Sequence, residues 1–378
     1  MTDPQPLTLQ SGGTSPGIKR TQLDAFTGWN RPPPDFVADL SGGQVQHSLF
    51  DSRRSRHAKF RSTFGAVQVF GSHHFHAILD REGRLSVQET DVDRVRFRLG
   101  LHLDNPPPAD AGMPRISIQH NSLAVDRTGV VARTIPGTAF FASPVEPDNW
   151  GMWLLNVLPS IEEYRTLGPG TPFICWVRFN WQRRLLAFLG VRDEDLMIQQ
   201  EWGVYAPSSL VMHQYSKVDL IPTASDQAVF RRVAAQCGAT TGAEKLFISR
   251  RGFSARFPHR RLLNEDALSA ALESRGFKTI EPETLSFADQ VRTFRSAKLI
   301  VGLGGAAMFG TIFCPPETRI VSIESSATFA DNHASLFAAM NHPYGFIFGQ
   351  QDPTDETPIH KRWTLDIETT LQQIDAFS

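Results

Sequence analysis

Two segments of the chain carry residue types suited to holding a phosphorylated ligand. The first is Ser249-Arg250-Arg251-Gly252-Phe253-Ser254-Ala255-Arg256-Phe257-Pro258-His259-Arg260-Arg261, with five arginines in thirteen residues. Guanidinium groups match phosphate oxygens bidentately, and the end of a strand is where α/β folds place ligands. A solvated basic loop has the same composition. The second segment is Val301-Gly302-Leu303-Gly304-Gly305-Ala306-Ala307. Glycines between a strand and a helix let backbone approach a ligand, and the free N–H groups of a helix start favour an anion such as a diphosphate. Glu324 ends the following strand, where its carboxylate could take a ribose hydroxyl. Gly302, Gly304 and Ala307 also match the G-x-G-x-x-A dinucleotide fingerprint. The same glycines could serve only tight strand-to-helix packing. A dinucleotide fingerprint opens its domain, whereas here an arginine-bearing strand and two helical units come first. That order favours a sugar nucleotide gripped from two sides over NAD.

These residues need elements to position them. From about residue 240 strands and helices alternate. Lys245–Ser249, Thr279–Ile280, Lys298–Val301 and Arg319–Glu324 read as strands. Asn264 can cap a helix over Glu265–Arg275 with Gly276 behind it, and Ser286 opens another to Ala297. An apolar helix follows the glycine turn, and Trp363–Phe377 reads as a terminal helix. This succession implies a parallel sheet with helices on both faces. Upstream, Val67–Phe70, Val95–Leu99, Phe173–Val177, Ser209–Met212 and Val218–Ile221 are strand candidates. Trp153–Leu158 reads as a buried helix ended or kinked at Pro159, and Gln182–Leu189 as a helix stopped by Gly190. Residues 1 to about 45 show no sustained period, although Phe26, Trp29 and Phe36 suggest docked parts.

Length and composition narrow the classes. The 378 residues suffice for about two domains. A net charge of −1 makes a non-specific nucleic-acid binder a poor first choice. The spacing of Cys175, Cys237 and Cys314 fits neither a disulfide framework nor a zinc site, which suggests a reducing compartment. With neither a long apolar span nor a signal-peptide core, a cytoplasmic protein is expected. His73-His74-x-His76 could suggest a metal, but no acidic or further His partner lies nearby in sequence, so none is expected. His333 and His342 read as structural histidines within reach of a ligand site.

The ordered series Ile248-Ser249-Arg250-Arg251, Arg261-Leu262-Leu263-Asn264-Glu265, Leu285–Val291, Ile300-Val301-Gly302 with Gly305-Ala306, and Phe313-Cys314-Pro315-Pro316 resembles glycosyltransferase family 61. Upstream, Asn149-Trp150-Gly151-Met152-Trp153-Leu154-Leu155-Asn156-Val157-Leu158-Pro159 resembles that family's N-terminal motif. The similarity covers roughly residues 140–350. It implies a GT-B-like α/β fold, two Rossmann-like domains facing across a cleft, and inverting sugar transfer from a nucleotide sugar without an obligatory metal. The expected division is an extension over 1–59, an acceptor-side domain over 60–240, a donor domain over 241–350 and a tail over 351–378. The donor side comprises Arg250, Arg251, Asn264, Gly304, Gly305, Ala306 and Glu324, with a UDP-sugar the first choice. The acceptor side comprises Asn149, Trp150, Met152 and Asn156. Bacterial relatives act in capsule, exopolysaccharide or lipopolysaccharide synthesis, and a lipid-linked acceptor would bring the chain to the inner face of a membrane.

The sequence departs from the family pattern at Met152, Asn156 and Gly304, where a histidine, an acidic residue and a histidine are usual. Methionine cannot transfer a proton and asparagine is no base at neutral pH. The resemblance therefore implies a substitute base, with Asp148 and Glu146 in the loop before the helix the first candidates. Glu162 and Glu163 belong on an exposed helix face. Two other readings stay open: a non-catalytic sugar-nucleotide-binding homologue and an NAD(P)-dependent oxidoreductase.

Overall fold

The computed structural model describes residues 6–7, 18–25, 27–43, 53–56, 59–72, 75–79, 115–119, 122–126, 132–144, 146–201, 203–215, 220–240, 242–256, 260–327, 330–357 and 361–378. The chain forms two compact units, Met1–Phe26 with His57–Val218 and Thr27–Arg56 with Asp219–Ser378. Both carry parallel strands and helices, so the chain is α/β.

The second unit is built on six strands in the spatial order Lys278–Ile280, Lys245–Ile248, Leu299–Leu303, Arg319–Glu324, Tyr344–Phe348, Phe36–Asp39, every pair parallel. Runs such as Leu246-Phe247-Ile248 are buried throughout because helices cover such a sheet. Phe247, Leu268, Leu272, Val301, Val321, Ile347, Trp363 and Ile374 share one core cluster. Numbered by chain position from Lys245, the first five strands lie in the order 2-1-3-4-5. The direction of winding therefore reverses between Lys245–Ile248 and Leu299–Leu303. Open α/β sheets bind ligands beyond the strand C-termini at such a reversal, and here those ends lead into the arginine segment and the glycine turn.

The sixth strand, Phe36–Asp39, comes from the stretch expected to be an extension. It pairs with Tyr344–Phe348, and the Phe36 ring lies against Gly345, where a Cβ would collide with it. The expected boundaries therefore change. Residues 27–56 belong to the second unit, as do the helix Ala224–Gln236 and the tail to Ser378. Leu220 and Ile221 lie outside any strand.

In the first unit the parallel strands lie in the order Leu196–Ile198, Phe173–Cys175, Ala132–Phe141, Val204–Tyr215. Lys59–Phe64 and Ile18–Asp24 extend this sheet antiparallel, and Gln68–Ser72 pairs with the Val204–Tyr215 strand. Pro159 does not end the upstream helix. Helical structure runs from Trp150 to Thr166, with a π-helical stretch over Trp153–Val157. The Leu158 N–H reaches back five residues to the Trp153 carbonyl. Pro159 then sits in the first turn after this wider one, where its missing N–H costs little. The strand candidate Val95–Leu99 lies outside the described residues.

Candidate functional site

The turn after Lys245–Ile248 is fixed by a buried carboxylate. Glu265 Oε1 accepts from the Ser249 hydroxyl at 2.6 Å and from the Arg250 N–H at 2.9 Å. Ser249 Oγ in turn accepts from the Arg251 N–H at 3.1 Å. Glu265 therefore does more than supply the acidic first turn of the helix Glu265–Glu273. It holds the start of the helix Arg251–Arg256 and directs the Arg250 side chain.

Arg250 is buried, and its Nη1 donates to the Gly304 carbonyl at 3.2 Å. Its guanidinium lies 4.9 Å from the Phe253 ring centroid. Nε is buried with no hydrogen-bond partner among the described residues. Burial, and secondarily the charge of Arg260, lowers the Arg250 pKa to about 10 against the opposing pull of Glu324, Glu265 and Glu283. The neighbouring carboxylates thus offset only part of the cost of burial, and the guanidinium stays charged at neutral pH.

Both turn glycines are required by what packs on them. A Cβ at Gly304 would collide with the Glu324 carboxylate, and one at Gly305 with Arg250 Nη1. Gly305 also has φ +155 and precedes the 3-10 helix Ala306–Phe313, whose first N–H groups have no partner within the helix. Arg260 approaches the same glycine, with Nη2 3.5 Å from the position of that Cβ. It has φ 57, a left-handed conformation that costs a non-glycine residue about 1–3 kcal/mol. Burial lowers the Arg260 pKa, and Glu324 opposes the shift.

Glu324 is itself buried. Its Oε1 accepts from the Ser322 hydroxyl at 2.8 Å and lies 2.6 Å from His333 Nδ1. The His333 ring stacks on Phe337 and meets Phe309 edge-on. Glu324 is therefore held inside the unit as countercharge to two arginines, rather than set out for a ribose hydroxyl.

Arg250, Gly304, Gly305, Ala306 and Glu324 are thus brought together, and Arg260, Glu265 and His333 join them. Arg251 and Asn264 are not. Arg251 is half exposed and pairs at 2.8 Å with the exposed Asp266. Asn264 occupies the cap position of its helix without a side-chain cap bond. Its amide is used at both ends on Leu365, donating to the carbonyl at 2.8 Å and accepting from the N–H at 3.2 Å. Nothing in the sequence separates Arg260 from its four neighbours in the segment, because a backbone conformation decides where it points.

In the first unit, Asn149 caps the helix start by accepting from the Gly151 N–H and donates to Glu146 Oε2 at 2.9 Å. Asp148 is exposed and takes Arg178 at 3.3 Å. Trp150 and Asn156 are half-buried, whereas Met152 is buried. Glu162 pairs with Arg165 on the surface, but Glu163 departs from expectation: it is mostly buried and pairs with Arg61 at 3.0 Å. Of the histidine cluster only His76 is described, and it packs on Phe141. His342 is spent on the Thr311 and Pro316 carbonyls. Among the described residues no group of three or more His, Cys, Asp or Glu side chains could hold a metal ion, and no helix is long and apolar enough to cross a membrane.

Residues 150–321 match the family model described as Glycosyltransferase 61. Over those residues, a little under half of the chain, the sequence is similar to that family. The match begins at Trp150 and extends through the arginine segment and the glycine turn to the strand that ends at Glu324. No curated protein matches the chain.

Proposed function

We propose that the chain is a nucleotide-sugar-dependent, inverting glycosyltransferase, and that its donor diphosphate binds at the sheet reversal of the second unit. The observation that carries this reading is Arg250: buried, in contact with the glycine turn, its Nε unpartnered and its pKa depressed. A diphosphate there would meet Arg250, Arg260 and the N–H groups after Gly305. Its oxygens would replace hydration that burial takes from the guanidinium groups, and it would be stabilised as the leaving group. In this reading the acceptor oxygen bonds to the anomeric carbon as the bond to the diphosphate oxygen breaks, and the diphosphate keeps the electron pair. Asp148 takes the acceptor proton, with Glu146 the second candidate. No obligatory metal is involved, and a UDP-sugar is the first donor to try. The acceptor is a hydroxyl of a glycan, free or lipid-linked, in polysaccharide assembly, with the protein on the cytoplasmic side and at the membrane surface when the acceptor is lipid-linked.

The dinucleotide reading gains no support. The glycine turn follows the third strand of the reversal rather than the first, and Glu324 is engaged with Ser322 and His333. Thermal shift and calorimetry with UDP, other nucleoside diphosphates, UDP-sugars and NAD test the proposal. A nucleoside diphosphate is expected to raise the melting temperature while NAD does not. Stabilisation by NAD alone would reject it.

A further inference from the structure

We infer that the aromatic cluster around Phe179 in the first unit is a docking platform for a neutral pyranose ring, the acceptor sugar of the transfer. This rests on the glycosyltransferase reading above. The platform lies beyond the C-terminal ends of two adjacent parallel strands, Ala132–Phe141 and Phe173–Cys175, the edge at which α/β sheets bind ligands. Phe179 is 39% exposed, one of the few large apolar side chains left open among the described residues. Its ring is nearly parallel to that of Trp181, at 13° and 6.4 Å between centroids. Trp181 is braced edge-on by Trp150 at 5.2 Å and Trp153 at 5.4 Å.

An exposed phenylalanine by itself needs no explanation, but this one is rigidly mounted. The Gln182 side chain accepts from the Arg178 N–H at 2.6 Å and the Phe179 N–H at 2.7 Å. Its Nε2 donates to the Pro147 carbonyl at 2.6 Å, which also takes the Trp153 indole N–H at 2.6 Å. One buried amide thus joins the loop that carries Asp148 to the loop that carries Phe179. Restraint of this kind lowers the entropy lost when a ligand settles on the ring.

The rim decides the class of occupant. Asp148 and Arg178 pair at 3.3 Å, and the Arg178 guanidinium lies 5.5 Å from the Phe179 ring. The two charges offset each other, so this pair offers planar hydrogen-bond donors and acceptors beside the ring and adds little net charge of its own. A phosphate backbone or an anionic lipid surface calls for unpaired cations beside the aromatics. A pyranose presents an apolar C–H face to an aromatic ring and hydroxyls to its edge, which suits an uncharged platform with a carboxylate and a guanidinium at its margin. Asp148, proposed above as the base, lies at the margin of the platform through its pair with Arg178.

The test uses the full chain, with saturation-transfer NMR against maltose, cellobiose, lactose and xylobiose, and calorimetry with UDP on the same samples. At least one disaccharide is expected to receive saturation. Its affinity should fall roughly fivefold in Phe179→Ala, the loss of one ring contact, and persist in Phe179→Trp. UDP affinity should stay within about twofold of wild type in both variants, since the residues assigned to the diphosphate are all carried by the second unit and Phe179 by the first. A wild type that binds UDP but none of the disaccharides overturns the platform and leaves the donor reading standing. Equal disaccharide binding in Phe179→Ala and wild type overturns it too. So does loss in Phe179→Ala of retention on anionic phospholipid vesicles, which would make the patch a membrane contact. Disaccharide binding through Phe179 without UDP binding keeps the platform and sinks the donor reading.

Discussion

Each unit ends its parallel strands in a site-like edge, and the two edges are made of different material. The second unit gathers charge and buries it: Arg250, Arg260, Glu265, Glu324 and His333 lie within a few hydrogen bonds of one glycine turn. The first unit gathers aromatic surface and leaves it open, with the Asp148–Arg178 ion pair at the rim exposed on both sides. Buried charge suits an anion that must be stripped of water and held, because interactions there are poorly screened. Open aromatic surface suits a neutral ring that comes and goes. The comparison predicts that substitutions in the charged edge act on nucleotide affinity and on stability together, whereas those at the open edge act on neither.

The largest effect should come from Arg250→Ala. It removes the buried guanidinium beside the Gly304 carbonyl and leaves Glu265 and Glu324 less balanced. Charge-assisted hydrogen bonds contribute about 1.5–3 kcal/mol each, so calorimetry should find nucleoside diphosphate binding weakened about 100-fold. Unchanged affinity would remove the anion site from this edge. Gly304→Ala attacks the same place by volume. Its methyl group collides with the Glu324 carboxylate, which cannot swing aside because Ser322 and His333 hold it. Overpacking of this kind costs about 1–3 kcal/mol, and the midpoint of urea unfolding should fall along with nucleotide affinity.

The charged edge was half legible in the sequence. Strands Lys245–Ile248, Leu299–Leu303 and Arg319–Glu324 announce themselves as apolar runs, because both faces of the sheet are covered. Arg250 and the glycines stand out because a basic residue after a strand and glycines before a helix have few local uses, and the fold brings them into contact. Phe36–Asp39 was not found: its hydrogen bonds lie some three hundred residues away, and its four residues lack a period of their own. In the sequence Glu265 is a first-turn acid, Asn264 is a helix cap that the family resemblance adds to the donor side, and His333 is a structural histidine within reach of a ligand site. Their roles depend on partners such as Ser249, Leu365 and Glu324 that only the folded sheet supplies.

The first unit should reveal itself through pH instead. The ring nitrogens of His213 are buried without hydrogen-bond partners among the described residues. Burial first, then the charges of Lys59 and Arg61, push its pKa down to about 3 from 6.5. Between those values the unfolded chain binds a proton that the folded chain refuses, so stability is full above about pH 6.5 and falls on acidification toward 3. The slope from this group reaches about 1.4 kcal/mol per pH unit. Urea midpoints measured between pH 7 and 5 should show it, and His213→Phe should flatten it. A wild-type profile as flat as the variant's would mean that the imidazole has solvent or a partner. Asn264→Ala should cost less, about 1–2 kcal/mol for two backbone contacts to Leu365. If nucleotide affinity is unchanged by it, Asn264 holds the C-terminal segment rather than the ligand.

The smallest effect is expected at the arginine that the sequence ranked beside Arg250. The Arg251 side chain is half exposed, and its partner Asp266 is almost fully solvated. Only its backbone N–H takes part in the turn, through Ser249, and alanine keeps that bond. An exposed ion pair contributes between about 0 and 1 kcal/mol, so Arg251→Ala should leave both the unfolding midpoint and nucleotide affinity within about twofold of wild type. Two adjacent residues of one type would then differ by well over an order of magnitude in what their loss does to binding, solely because Glu265 and the Ser249 turn send one inward and the other out. Equal losses at 250 and 251 would instead show that the field of the whole segment, and not the buried contact with Gly304, holds the anion.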